Sequence, residues 1–134
     1  MNTTIVNGRT GSLVASTVEV ADTRARRRRG LLGRDRLDPR SAFVLTPCFM
    51  IHTLSMRFAI DVVFIDRDGV VVRTVGNLEP GRIAIARRAR SVVELAAGTI
   101  AARDVVVGDR LYFESRFSTD EGVIQMALSS SVAG

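Results

Sequence analysis

The stretch Ile60-Asp61-Val62-Val63-Phe64-Ile65-Asp66-Arg67-Asp68-Gly69-Val70-Val71-Val72-Arg73-Thr74-Val75 decides the fold. β-Branched and aromatic residues fill both flanks, and Asp68-Gly69 supplies a turn in which glycine adopts the left-handed backbone that other residues resist. This predicts a hairpin. Apolar side chains fall on both faces of Ile60 to Ile65, so that strand is expected inside a sheet, covered on both sides.

Working outward, Thr3 to Val6 and Leu13 to Val20 are β-rich runs separated by Asn7-Gly8 and Gly11-Ser12, which predicts an opening hairpin. Asp22-Thr23 supplies an N-cap for a short helix reaching Leu32, with Gly33 at its end and Ala21, Ala25 and Leu32 on one face. Further strands are expected at Ala42 to Leu45, Ser91 to Leu95, Arg110 to Glu114 and Gly122 to Leu128. Asn77 to Arg82 reads as a loop, Gly98 to Arg103 as a turn or one helical turn, and Gly108-Asp109 as a turn. The expected fold class is all-β, a compact barrel or jelly-roll-like sandwich with one or two short helices. It forms a single domain over residues 1–128 with a flexible tail at 129–134.

Composition narrows the function classes. An apolar fraction of 46% and a charged fraction of 25% over 134 residues match a soluble globular protein, not a disordered or fibrous one. No apolar run approaches the roughly 20 residues of a transmembrane helix, and the first residues do not form a secretory signal. The single Cys48 forms no internal disulfide, consistent with a cytoplasmic location. All 19 basic residues are arginine, giving a formal charge of +5. The excess lies in the first half, concentrated in Arg24 and Arg26 to Arg29. Guanidinium groups suit phosphates and carboxylates, but a solvated basic face is the favoured reading of the run. Aromatic residues make up only 5% of the chain, with no Trp, which argues against a stacking platform for single-stranded nucleic acid.

Between Cys48 and Asp109 a set of short motifs occurs in fixed order: Pro47-Cys48, Ile51-His52-Thr53, Met56 to Asp66, Val93-Glu94-Leu95-Ala96-Ala97-Gly98 and Val107-Gly108-Asp109. Val18-Glu19-Val20-Ala21 and Arg29-Gly30-Leu31-Leu32-Gly33-Arg34 precede them. Together these resemble the bacterial domain of unknown function family 192 (DUF192) over about residues 13–113. Ala59 departs from the proline usual in that family, and Ile51-His52-Thr53 from its tryptophan and Lys-Asn-Thr form. The resemblance implies a compact β-barrel or jelly-roll-like fold and an accessory role linked to secretion or pilus assembly, not an activity.

Six residues are candidates for chemistry. His52, Arg57, Asp61 and Glu94 are polar groups set among apolar strands and are expected to line a ligand-binding concavity. Extended chain from Met56 would place Arg57, Ala59 and Asp61 on one face. Glu94 shares a face with Val92, so it is expected to be buried and paired with Arg57, Arg73 or Arg110. Cys48 and His52 are the only residues of their kinds. They are too few for a metal site but conceivable as a nucleophile pair, against a structural role for Cys48 as a packed thiol. Asp109 reads as a turn residue. No phosphate loop, dinucleotide fingerprint or nucleophile elbow is present. The sequence therefore points to a noncatalytic ligand-binding or interaction module without metal or cofactor, monomeric or weakly self-associating. Its partner would be a small polar ligand or a protein segment. The alternatives are a small enzyme using Cys48 and His52, or nonspecific nucleic-acid binding through Arg24 to Arg29.

Overall fold

The computed structural model describes residues 2–119 and 122–127, with side chains through Ser115; the tail expected at 129–134 lies outside the described residues. The central layer is a five-stranded sheet ordered β3 (Thr17–Ala21), β4 (Ser41–Leu45), β9 (Ser91–Ala96), β6 (Ile60–Ile65), β7 (Val71–Leu78). β3 and β4 run parallel and the other neighbours antiparallel. All six residues of β6 are buried, as the doubly apolar run predicts. Its turn is tied by Asp66, whose carboxylate accepts the Asp68 and Val70 N–H groups at 2.9 and 3.0 Å, while Gly69 takes φ 81°.

Period-two alternation divides β6 between two cores. Val63 and Ile65 face one cluster, with Val44, Val93 and Leu95 beside them and Ile5, Val14, Leu111 and Phe113 opposite. The latter come from a second sheet, β11 (Gly122–Ala127), β10 (Leu111–Thr119), β1 (Asn2–Asn7), β2 (Leu13–Ala15). Ile60, Val62 and Phe64 face the other cluster with Phe43, Leu45 and Val92, covered by Leu31, Ile51, Met56 and Ala84. Each such side chain contributes roughly 2 kcal/mol on burial. The result is a sandwich extended on its outer face by a small two-stranded sheet, β5 (Met50–His52) with β8 (Ile83–Ile85), and by two short helices, α1 (Arg24–Arg29) and α2 (Thr99–Ala102). Among the described residues no sheet closes into a barrel.

Four local expectations are corrected. Leu13 to Val20 is two strands, because the chain leaves the outer sheet at Ser16 and enters the central one. The helix begins at the expected Thr23 cap, whose hydroxyl accepts the Arg26 N–H at 3.1 Å, but it stops at Gly30 instead of near Leu32. Gly30 takes φ 48°, leaving Ala25 exposed and turning Leu31 into the core. The expected loop at Asn77 to Arg82 is shorter, since β7 continues to Leu78 and β8 starts at Ile83. Residues 56–59 are not a strand, so Arg57, Ala59 and Asp61 do not share a strand face.

Candidate functional site

A cavity of about 290 Å³ lies between α1, β5 and the outer face of the central sheet. Its apolar wall is Leu31, Leu45, Ile51 and Met56; its polar groups are Arg24, Arg27, Arg28 and Arg29 from α1 together with Cys48, His52 and Glu94. The helix builds one wall because Arg24, Arg27 and Arg28 stand at i, i+3 and i+4. Arg27 is fixed by donating to the carbonyls of Asp22 and Thr46 at 3.0 and 3.3 Å. Among the described residues the side chains of Arg24, Arg28 and Arg29 make no hydrogen bond or ion pair.

Glu94 reaches the cavity from β9. Its register neighbours are Phe43 on β4 and Val62 on β6, so the sheet offers its carboxyl nothing to bond. The residue is 4% exposed, as its place beside Val92 predicts, but among the described residues no arginine bonds to it. Arg57 instead pairs with Asp35 at 2.7 Å, Arg73 donates to the Ile85 carbonyl, and Arg110 donates to the Asp68 carbonyl and lies over Tyr112. Glu94 Oε2 is buried with no hydrogen-bond partner among the described residues. Burial pushes its acid up to about 8, against a smaller opposing pull from Arg34. Glu94 is therefore mainly a neutral carboxylic acid at pH 7.

Cys48 and His52 line the same cavity, and among the described residues no hydrogen bond joins their side chains. The Cys48 thiol donates to the Met50 carbonyl at 3.1 Å, and His52 Nδ1 accepts the Leu54 N–H at 3.3 Å. Burial pushes the thiol up, opposed by the Met50 hydrogen bond and reinforced by Glu94, so the nucleophilic thiolate is disfavoured. Although Cys48, His52 and Glu94 share the cavity, among the described residues no three His, Cys, Asp or Glu side chains converge to hold a metal ion.

The remaining sequence candidates lie elsewhere. Arg57 is exposed beside Asp35. Asp61 is buried, and its carboxylate accepts the backbone N–H groups of Asn77, Gly98 and Ile100 at 2.8, 3.0 and 2.9 Å. Asp109 is more than a turn residue: it accepts from Asn7 at 2.8 Å, from Arg9 at 2.6 Å and from the Val106 N–H at 2.9 Å. Burial alone would raise its acid, but these donors, Arg9 foremost, hold it below the usual carboxylate range. The structure thus brings His52, Glu94 and Cys48 together and leaves Arg57, Asp61 and Asp109 outside. The α1 arginines were legible only as a charged run; their i, i+3, i+4 spacing was the available sign of a shared wall.

The rim continues onto an apolar surface. Met50 and Ile85 are register partners on the outer face of the β5–β8 pair, with Ile83 beside them at 66% exposure and Phe49 and Leu54 at the strand's ends. A second cavity, of about 350 Å³, lies on the other side of α1 against Arg34 and Phe43. There Arg34 is already satisfied, by Glu19 at 2.6 Å and by stacking 5.4 Å from the Phe43 ring.

Residues 5–113 match the family DUF192, described as Uncharacterized ACR. The chain belongs to the DUF192 family. Two solved structures share its fold. One is a proposed transcription regulator from Sinorhizobium meliloti 1021, 27% identical, with a TM-score of 0.72 over 81% of this chain and 89% of that one. The other is a protein of unknown function from Novosphingobium aromaticivorans DSM 12444, 21% identical, with a TM-score of 0.71 over 81% of each chain. No curated protein matches the chain. Among the described residues of this DUF192 protein no helix is long and apolar enough to cross a membrane.

Proposed function

We propose that this DUF192 protein is a noncatalytic binding module whose small polar ligand occupies the cavity between α1 and Glu94. One observation carries the reading: a carboxyl oxygen is buried in that cavity without a hydrogen-bond partner among the described residues. Leaving such a group unsatisfied costs about 1–3 kcal/mol, a cost that a ligand supplying the missing hydrogen bond removes. The volume of about 290 Å³ sits at the small end of metabolite sites. Cytoplasmic placement, supported by the lone thiol, and an accessory role in secretion or pilus assembly belong to the same reading.

The test is a thermal-shift screen of small metabolites on the wild-type protein, Glu94→Gln and the double variant Arg24→Gln/Arg28→Gln. A hit at this cavity raises the wild-type melting temperature and loses most of that effect in at least one variant. Hits indifferent to both variants would place binding elsewhere and sink the proposal. The enzyme alternative predicts a Cys48 that reacts with a thiol probe faster than free cysteine and slows on His52→Ala. We expect it to react more slowly, because its thiol is partly buried and burial disfavours the thiolate.

A second reading rests on the unpaired arginines and on the description of the Sinorhizobium neighbour as a proposed transcription regulator. Against sequence-specific recognition, α1 has six residues, a length of about 9 Å, and four of its arginines line a cavity. Nonspecific contact with phosphates is what such a helix supports.

A further inference from the structure

The chemical class of the ligand follows from what surrounds Glu94, granted that the cavity is a binding site. Every charged side chain facing the cavity other than Glu94 is cationic: Arg24, Arg27, Arg28 and Arg29 from α1. Arg34, from the segment after the helix, adds a further positive charge. The titratable groups from β5 and the loop before it are His52 and Cys48, and the flanking strands place only Phe43 and Val62 beside Glu94. Arg27 is engaged with two backbone carbonyls, leaving Arg24, Arg28 and Arg29 with open donors among the described residues.

An isolated carboxylate in such a position would be costly, and neutralising it by protonation is cheaper than burying it charged and unbonded. The neutral acid reverses the hydrogen-bonding character of the floor, because its O–H is a donor. Donors then line both rim and floor. A cationic ligand would face repulsion from four guanidinium groups to reach one carboxyl. A zwitterion would have to carry its ammonium past the same rim.

We infer that the ligand is a small anion whose carboxylate or phosphate group bridges the Arg24 and Arg28 guanidinium groups and the Glu94 carboxyl O–H. The guanidinium forks supply paired N–H donors matched to either oxyanion, and the apolar wall of Leu45 and Met56 accommodates a short hydrocarbon body. Binding therefore draws on the protonated form of Glu94 and weakens as that proton leaves. The cavity is selective for anions and gated towards lower pH.

Isothermal titration calorimetry on the full chain, with succinate, inorganic phosphate and γ-aminobutyrate as probes at pH 7.5 and pH 9, tests this. Expected is binding of succinate or phosphate at pH 7.5, several-fold weaker at pH 9, with γ-aminobutyrate weaker than both. Succinate and phosphate as separate arms tell a carboxylate site from a phosphate site. Glu94→Gln keeps a neutral donor in place, so it should retain the pH 7.5 affinity within a few-fold and lose the pH dependence. Arg24→Gln/Arg28→Gln should weaken the anion at both pH values. Preference for γ-aminobutyrate, or anion binding that strengthens at pH 9, overturns the anion inference while leaving a cavity ligand in place. If neither anion binds but the metabolite screen returns a neutral or cationic hit sensitive to Glu94, the inference again fails alone. If that screen returns no cavity-sensitive hit at all, the binding-module reading fails with it.

Discussion

At the scale of a residue, Glu94 links stability to the site. Sequence reasoning expects a buried carboxylate held by an arginine, in which case Glu94→Gln would destabilise the protein. The structure reverses that expectation, because among the described residues the carboxyl has no such partner and burial pushes it up to about 8 from an ordinary 4.5. Between those values the folded chain holds a proton that the unfolded chain releases. Stability is then fully present below the unfolded value, falls as pH rises through this window by at most about 1.4 kcal/mol per pH unit, and levels off above it. Glu94→Gln should match wild type within about 1 kcal/mol at pH 5, and exceed it by a few kcal/mol at pH 9. Urea denaturation at pH 5, 7 and 9 measures this. Parallel stability profiles for the two proteins would show that Glu94 is ionised and satisfied in the fold.

At the scale of elements, Asp61 plays the opposite part, a buried carboxylate whose two oxygens both accept hydrogen bonds. Ile60 pairs with Leu78 and Val62 with Val75, so Asp61 alone faces both Gly76 and Asn77, a bulge in the β6–β7 ladder. Asn77 takes φ 50° there, and its N–H turns to Asp61 Oδ1 while Oδ2 collects the Gly98 and Ile100 N–H groups at the start of α2. Asp61→Asn keeps the shape but presents an NH₂ donor to at least one N–H donor, so a loss of about 2–4 kcal/mol is expected. Anion binding at 25 °C should be unchanged, since Asp61 lies outside the cavity; equal stability of variant and wild type in urea would refute the bracing role. The same hairpin shows what the sequence discloses. Its strands follow from β-branched runs and an Asp-Gly turn, both local. β5 and β8 escaped because each has three residues and exists only through the other, across 30 residues of chain. Leu13 to Val20 contains no Gly, Pro or Asn, so none of these turn residues marks Ser16 as the point where the chain changes sheets. Glu94 stood out as an acid in an apolar alternation. That arginines from α1 would roof it depends on how the helix packs, which no local pattern encodes.

At the scale of the whole molecule, the net charge of +5 and its uneven placement bear on partners. Several arginines are tied internally: Arg9 to Asp104 and Asp109, Arg34 to Glu19, Arg57 to Asp35. Among the described residues, those on α1 without an ion pair or side-chain hydrogen bond are Arg24, Arg28 and Arg29, one compact cationic patch on a short helix. A polyanion meeting that patch releases about one counterion per neutralised phosphate, and three contacts imply a logarithmic slope near −2.7 against salt concentration. Affinity for duplex DNA should then fall roughly 40-fold between 50 and 200 mM salt, with no preference among sequences. The triple variant Arg24→Gln/Arg28→Gln/Arg29→Gln should flatten the slope towards zero. Fluorescence anisotropy with two unrelated duplexes across that salt range measures both quantities. Because Arg24 and Arg28 belong to the cavity as well, succinate at saturating concentration should compete with the duplex at low salt if the patch and the cavity share those side chains. Strong binding of one duplex over the other at physiological salt, surviving the triple variant, would instead locate a nucleic-acid surface away from α1 and leave the helix with the cavity alone.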